Sequence, residues 1–169
     1  LVLTEDGDVA RHYIVMERMP GTLSTMLLNP LGELFGASLL QRLQLLADVA
    51  AGLRYLHARS VIHADVKPDN VLLTMMPAPT ARLGDFGSCV LRHAASKTRG
   101  TFAGVRGTYL YMDPCLVNNS KSIMPASDVY SFGMLMWQVL TGLMPFQAEI
   151  LAKVRGHDPD LLHRLVEEH

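Results

Sequence analysis

Between residues 61 and 87 the chain alternates short apolar runs with loops crowded by polar groups, and few folds accommodate that alternation. Val61-Ile62 leads into His63-Ala64-Asp65-Val66-Lys67-Pro68-Asp69-Asn70. Val71-Leu72-Leu73 follows, then a loop, then Arg82-Leu83-Gly84 and Asp85-Phe86-Gly87. Apolar runs this short, bounded by turn formers, read as short strands. The two polar loops are therefore expected at the ends of neighbouring strands, which brings two carboxylates, a lysine and an amide together.

The remainder of the chain frames this region. Leu1–Thr4 and His12–Met16 read as short strands joined by Glu5-Asp6-Gly7-Asp8, and Met19-Pro20-Gly21 breaks the chain as a hinge would. Thr22–Leu28 is expected to form a short helix. Ser38 is placed to cap a long helix over 39–57, with Leu43, Leu46, Val49, Ala50, Leu53 and Leu56 on one face and Gln41, Gln44 and Asp48 opposite. From Ser88 to about Ala126 periodicity is weak and Ser, Thr, Gly, Lys and Arg are frequent, so a long surface loop, carrying function or disorder, is expected. A helix over 128–141, apolar on most sides and stopped by Gly142, is expected at the buried centre. Gln147–Arg155 and Pro159–Glu168 are weaker helix candidates, the second with Asp158 as its cap.

Composition excludes several classes. At 169 residues with 49% apolar content, one domain with a sizeable core is expected. A net charge of -1 gives no footprint for nucleic acid or a membrane surface. The continuous helical part of the longest uncharged stretch, Val129 to Leu140, falls short of the roughly 20 residues a membrane span needs. Cys89 and Cys115 are too few for a disulfide framework, which suits a reducing, cytoplasmic setting. No secretory signal is visible, and the opening residues already read as a strand, so the sequence is expected to begin inside a domain.

Phosphoryl transfer from a metal-bound nucleotide requires a group to orient the accepting hydroxyl, a cation for the moving phosphate, and oxygens to hold metal. Asp65 suits the first role from a loop at the site edge. Lys67 suits the second as a point charge, and Asn70 and Asp85 supply the oxygens. Taken singly, each has a plainer reading: a turn carboxylate, a solvated Lys-Pro turn, a chance Asp-Phe-Gly. Taken jointly, they are followed in order by Gly107-Thr108-Tyr109-Leu110-Tyr111-Met112-Asp113-Pro114 and by Ser127-Asp128-Val129-Tyr130-Ser131-Phe132-Gly133. This succession resembles the catalytic loop, DFG loop and later motifs of eukaryotic protein kinases. The details, with Leu140-Thr141-Gly142, look most like the tyrosine-kinase-like group common in plants and algae.

The resemblance covers nearly the whole chain and implies an α+β, mainly α fold. Residues 1–16 would be the end of the small lobe, 17–21 the hinge and 22–169 an incomplete large, C-terminal lobe. It implies ATP and Mg²⁺ as cofactors and a protein substrate bearing Ser or Thr, since Lys67 and Thr108 are what Ser/Thr-specific members carry. Glu17, Arg18 and Met19 would meet adenine through backbone groups, with Met16 as gatekeeper and Leu72 beneath the ring. Lys67 would also touch the transferred phosphate. His63, Phe86 and Asp128 match a packing column and its anchor, Gly87 completes the DFG loop, and Thr108 would bond Asp65 and Lys67.

Three departures from the pattern matter. The 169 residues contain no Gly-rich phosphate loop, no strand lysine and no helix bearing its glutamate partner; the family order puts these before residue 1. Ala64 stands where most members have an Arg that reads a phosphorylated activation segment. The candidate phosphosites Ser88, Ser96, Thr98, Thr101 and Thr108 thus lose their usual reader, although Arg92, Lys97, Arg99 and Arg106 lie nearby in sequence. Cys115 stands where the family places a Glu that ties the end of that segment to the lobe. Two functions follow as expectations: a Ser/Thr kinase whose isolated 169-residue piece is inactive, or a pseudokinase acting as a protein-binding scaffold.

Overall fold

The computed structural model describes residues 2–4, 11–13, 15–28, 37–74, 78–92, 109–117 and 122–147. Strands β1 (Val2–Thr4) and β2 (Arg11–Tyr13) form an antiparallel pair, Val2 opposite Tyr13. The second strand is shorter than the expected 12–16, because its partner offers only three residues. Val15 and Met16 lie beyond it, exposed and irregular. Strand β3 (Gly21–Thr22) runs directly into helix α1 (Leu23–Leu28).

Helix α2 (Leu39–Ala58) begins with a capping box, in which the Ser38 hydroxyl accepts from the Gln41 N–H and the Gln41 side chain accepts from the Ser38 N–H. Its buried stripe is Leu45, Leu46, Val49 and Leu53. This corrects the expected face: Leu43 and Ala50 are exposed, and Leu45 takes the core position. The rotation has a polar cause. Asp48, expected in solvent, turns toward the sheet and accepts the Ala81 N–H at 3.0 Å.

Strand β5 (Val71–Leu73) is the centre of a three-stranded antiparallel sheet, flanked by β3 and β6 (Ala81–Leu83). Helix α1, the stripe of α2 and this sheet enclose Leu23, Met26, Val66, Val71 and Leu73. Leu135 and Val139 close the same core from helix α4 (Pro125–Thr141). Each such fully buried side chain contributes about 1.5–3 kcal/mol relative to exposure. The Arg42 guanidinium donates to Val139 O and Leu140 O, each at 3.2 Å, so the start of α2 neutralises the carbonyl end of α4.

Two expectations change here, while the expected stop at Gly142 holds. Helix α4 begins at Pro125, earlier than 128, with proline in the first turn where its missing N–H costs nothing. Gly142 ends it at φ 74°, a left-handed conformation glycine adopts without strain. The helix is also not buried on most sides: among the described residues only one face is covered, and Val129, Met136, Trp137 and Leu140 are exposed.

The segment 88–126, expected as surface loop, carries real structure where it is described. Strand β7 (Val90–Leu91) pairs antiparallel with β4 (Val61–Ile62), and helix α3 spans Pro114–Val117. Met112, Leu116 and Ile123 form a second core with Ile62. Elements of two to four residues leave no periodicity to read; their order comes from partners distant in sequence. The turn expected at 5–8, Thr108 and the two candidate helices at the C-terminal end, apart from Gln147, lie outside the described residues.

Candidate active site

Beyond β4 the backbone turns at Ala64, whose φ of 64° is left-handed, then closes a 3-10 turn over Pro68–Asn70 before entering β5. That turn folds Lys67 and Asn70 back onto Asp65. Lys67 Nζ lies 2.7 Å from Asp65 Oδ2, and Asn70 Nδ2 donates to the same oxygen at 2.9 Å and to Asp65 O at 2.8 Å. The Asp65 and Lys67 side chains retain 14% and 19% exposure, so the pair is partly desolvated yet reachable from solvent. With its nitrogen used on Asp65, the Asn70 amide offers its oxygen to a cation.

The second loop is fixed to the first through Gly84. Its N–H donates to Asn70 O at 2.8 Å, and its carbonyl accepts from His63 Nε2 at 3.0 Å. Since a carbonyl only accepts, Nε2 carries the proton, and His63 Nδ1 faces the Asp65 N–H at 3.4 Å. One buried imidazole thus joins the two loops. A Cβ on Gly84 would stand 2.7 Å from Leu72 Cδ1, so glycine permits Leu72 to lie against the residue preceding Asp85. Asp85 itself is exposed and left-handed at φ 54°, with Oδ1 accepting the Gly87 N–H. Phe86 meets the His63 ring at 5.6 Å between centroids while staying half exposed.

Beneath both loops lies Asp128, on the first turn of α4 and 1% exposed. Oδ1 accepts the Ala64 N–H at 2.8 Å; Oδ2 accepts the His63 N–H at 2.9 Å and lies 2.7 Å from His57 Nε2. A non-glycine residue in the left-handed region costs roughly 1–2 kcal/mol, and the bond to Asp128 holds Ala64 there. His57 was not among the expected site residues. Its only sequence signal was its place in the last turn of α2; its partner lies 71 residues away.

The expected hinge residues are less enclosed. Met19 is half buried, and Glu17 directs its carboxylate outward to Arg82 of β6, an exposed pair worth at most about 1 kcal/mol. Burial pushes the Cys89 thiol up, with Asp128 and Asp85 adding to the shift, so thiolate chemistry at Cys89 is disfavoured.

Gln138 was also missed by sequence reasoning. Its side chain accepts the buried Tyr111 hydroxyl at 2.5 Å and so ties the segment before α3 to α4. Burial is the main force pushing the Tyr111 phenol well above its ordinary 10.0; Asp69 adds to it and Gln138 opposes it. The folded state therefore keeps the Tyr111 proton above pH 10, where the unfolded chain releases it. That contribution to stability is present below pH 10 and is lost as pH rises beyond it, at about 1.4 kcal/mol per pH unit. Tyr111→Phe is expected to remove this component from the alkaline limb in denaturant titrations; an unchanged slope would refute it.

Among the described residues no three His, Cys, Asp or Glu side chains gather as a metal cage. One carboxylate at Asp85 and one amide oxygen at Asn70 are what these two loops could offer a metal. That chemistry suits Mg²⁺, which keeps few protein ligands and completes its shell with phosphates and water.

Comparison with known proteins gives a consistent answer. The family model described as "Protein kinase domain" matches residues 5–164. The chain is 34% identical over 136 residues to the Arabidopsis thaliana serine/threonine/tyrosine-protein kinase HT1, covering 80% of this chain and 33% of that protein. It is 41% identical over 121 residues to the Rattus norvegicus receptor-interacting serine/threonine-protein kinase 3, covering 67% and 24%. Among solved structures, a chain of the yeast RNA Pol II CTD kinase CTDK-1 complex superposes with a TM-score of 0.66 at 25% identity, over 78% of this chain and 40% of that one. The chain thus spans a third or less of the length of these two relatives.

Proposed function

The chain belongs to the protein kinase family, and on that premise we propose that it supplies the hydroxyl-orienting and metal-holding part of a protein serine/threonine kinase. The observation that carries this reading is the Asp65 carboxylate, with one oxygen bound by both Lys67 and Asn70. Oδ2 meets those donors, and we give Oδ1 to the accepting hydroxyl. Held there, the hydroxyl is oriented for attack and can pass its proton to Asp65 as the bond forms. Lys67, paired with that carboxylate, would share its charge with the phosphate oxygens.

Bound ATP would supply the phosphoryl group with its Mg²⁺; Asn70 and Asp85 would hold the metal, and Leu72, Glu17 and Met19 would hold the adenine, the last two through backbone groups. We assign the chain to the tyrosine-kinase-like group on its Tyr-Met-Asp-Pro and Ser-Asp-Val-Tyr-Ser-Phe-Gly motifs, with residues 1–16 and 22–169 on either side of the hinge. Lys67 and Thr108 favour Ser or Thr over Tyr as acceptor. A cytoplasmic setting accords with two unpaired thiols; among the described residues no helix is long and apolar enough to cross a membrane. The scaffold alternative draws on Ala64 and Cys115, but an intact Asp65–Lys67–Asn70 set is what a chain freed from catalysis would have no reason to keep.

These residues include no Gly-rich loop or strand lysine to position ATP phosphates, so the isolated 169-residue chain should be at least about 10²-fold slower than the complete gene product. The assay is Mg²⁺-dependent phosphate transfer from labelled ATP to a protein bearing Ser, Thr and Tyr, with phosphoamino-acid analysis. Robust transfer by the isolated chain would overturn the incomplete-site reading. No ATP turnover by the complete product would overturn the enzyme and favour the scaffold; phosphotyrosine as sole product would overturn the Ser/Thr preference.

A further inference from the structure

Cys115 occupies the position at which the resemblance calls for a glutamate tether, yet the segment around it is well anchored. Asp113 Oδ1 accepts the Cys115 N–H at 2.9 Å, and Oδ2 accepts the Ser127 hydroxyl at 3.1 Å. We propose that Asp113 is a positioning residue that takes over this tethering, fixing segment 109–117 on α4 so that a protein substrate docks beside Asp65. The proposal rests on the kinase reading and deepens it by naming what holds the docking surface.

A carboxylate that merely capped α3 would be satisfied by its own backbone. Here the second oxygen reaches a residue 14 positions along the chain, on a different helix. Ser127 is 4% exposed and immediately precedes Asp128. Two consecutive residues of α4 therefore hold two separate pieces of the site: Asp128 holds the backbone at His63 and Ala64, and Ser127 holds Asp113. The register between the catalytic loop and segment 109–117 is set by one helical turn. Asp65, Met112, Asp113 and Ser127 line a common cleft, so a shift of Asp113 alters the wall facing Asp65. Apolar packing of Met112 and Leu116 on Ile62 supplies the adhesion, and the Asp113 bonds supply the register.

The test uses the complete gene product carrying Asp113→Ala, Ser127→Ala, or both. Both substitutions break the Ser127–Asp113 bond, and losing that hydrogen bond to a charged group should raise the KM for the protein substrate about tenfold. The KM for ATP and the hydrolysis of ATP without protein substrate should stay within about twofold. The double variant should be no worse than Asp113→Ala, because both changes remove one link. Hydrogen exchange should quicken at amides 113 and 115–117 and stay unchanged at 63–67, 69 and 70. A parallel rise in the KM for ATP, additive single effects, or an unchanged protein KM would each overturn the proposal. An inactive wild type would instead sink the kinase reading, and the exchange measurement would still decide whether Asp113 is the anchor.

Discussion

Asp65→Asn in the complete gene product is expected to lower phosphate transfer to protein by about 10²–10⁴-fold while leaving the KM for ATP within about twofold. The substitution keeps shape and removes only the acidic function. Lys67 and Asn70 both donate to Oδ2, so the asparagine amide will turn its oxygen toward them. Its NH₂ then faces the position assigned to the substrate hydroxyl. A donor stands where an acceptor is needed, and the hydroxyl loses both its orientation and the base for its proton. Lys67 also loses its counter-charge, but it keeps a hydrogen-bond partner, so the loop has little cause to collapse. The experiment compares single-turnover rates at saturating ATP with nucleotide affinity measured separately. A variant retaining more than about a tenth of the rate would remove Asp65 from the reaction. A proportional loss of ATP affinity would instead mark it as a structural residue.

The clustering of Asp65, Lys67 and Asn70 was legible in the sequence because it is local. Asp65, Lys67 and Asn70 lie within six residues, and one 3-10 turn closes them into contact. The strands on either side were also legible, since a short apolar run between turn formers has few alternatives. What could not be read was the set of groups reaching across the fold. His57 meets Asp128 over 71 positions and Tyr111 meets Gln138 over 27, and neither spacing has a periodic signature. The α2 face was misread by a fraction of a turn for a related reason. Leucines occupy both sides of that helix, so the bond from Ala81 to Asp48 decides which side turns inward. The segment 109–117 looked like loop because its order comes from burying Met112 and Leu116 against Ile62, not from any pattern of its own.

Asp128→Ala should destabilise the complete protein by about 3–5 kcal/mol, against a total stability of about 5–15 kcal/mol for a domain. The carboxylate is 1% exposed and serves three donors: the His63 N–H, the Ala64 N–H and His57. Alanine leaves two backbone N–H groups and an imidazole beside an empty volume, and water has little access to replace the lost bonds. Asp128→Asn separates the volume from the charge. With its oxygen toward Ala64, its nitrogen replaces Oδ2 and faces His57 and the His63 N–H. His57 can accept by moving its proton to Nδ1; a backbone N–H has no such option. The asparagine variant should therefore lose about 1–3 kcal/mol, concentrated at His63. Because His63 bridges Gly84 and the Asp65 N–H, that loss should loosen the two loops relative to each other before the fold melts. Chemical denaturation reads the first effect, and hydrogen exchange at 63–66 and 84–87 reads the second. Equal stability of the alanine variant and wild type would show that the loops are held by their own turns, and that Asp128 is not their anchor.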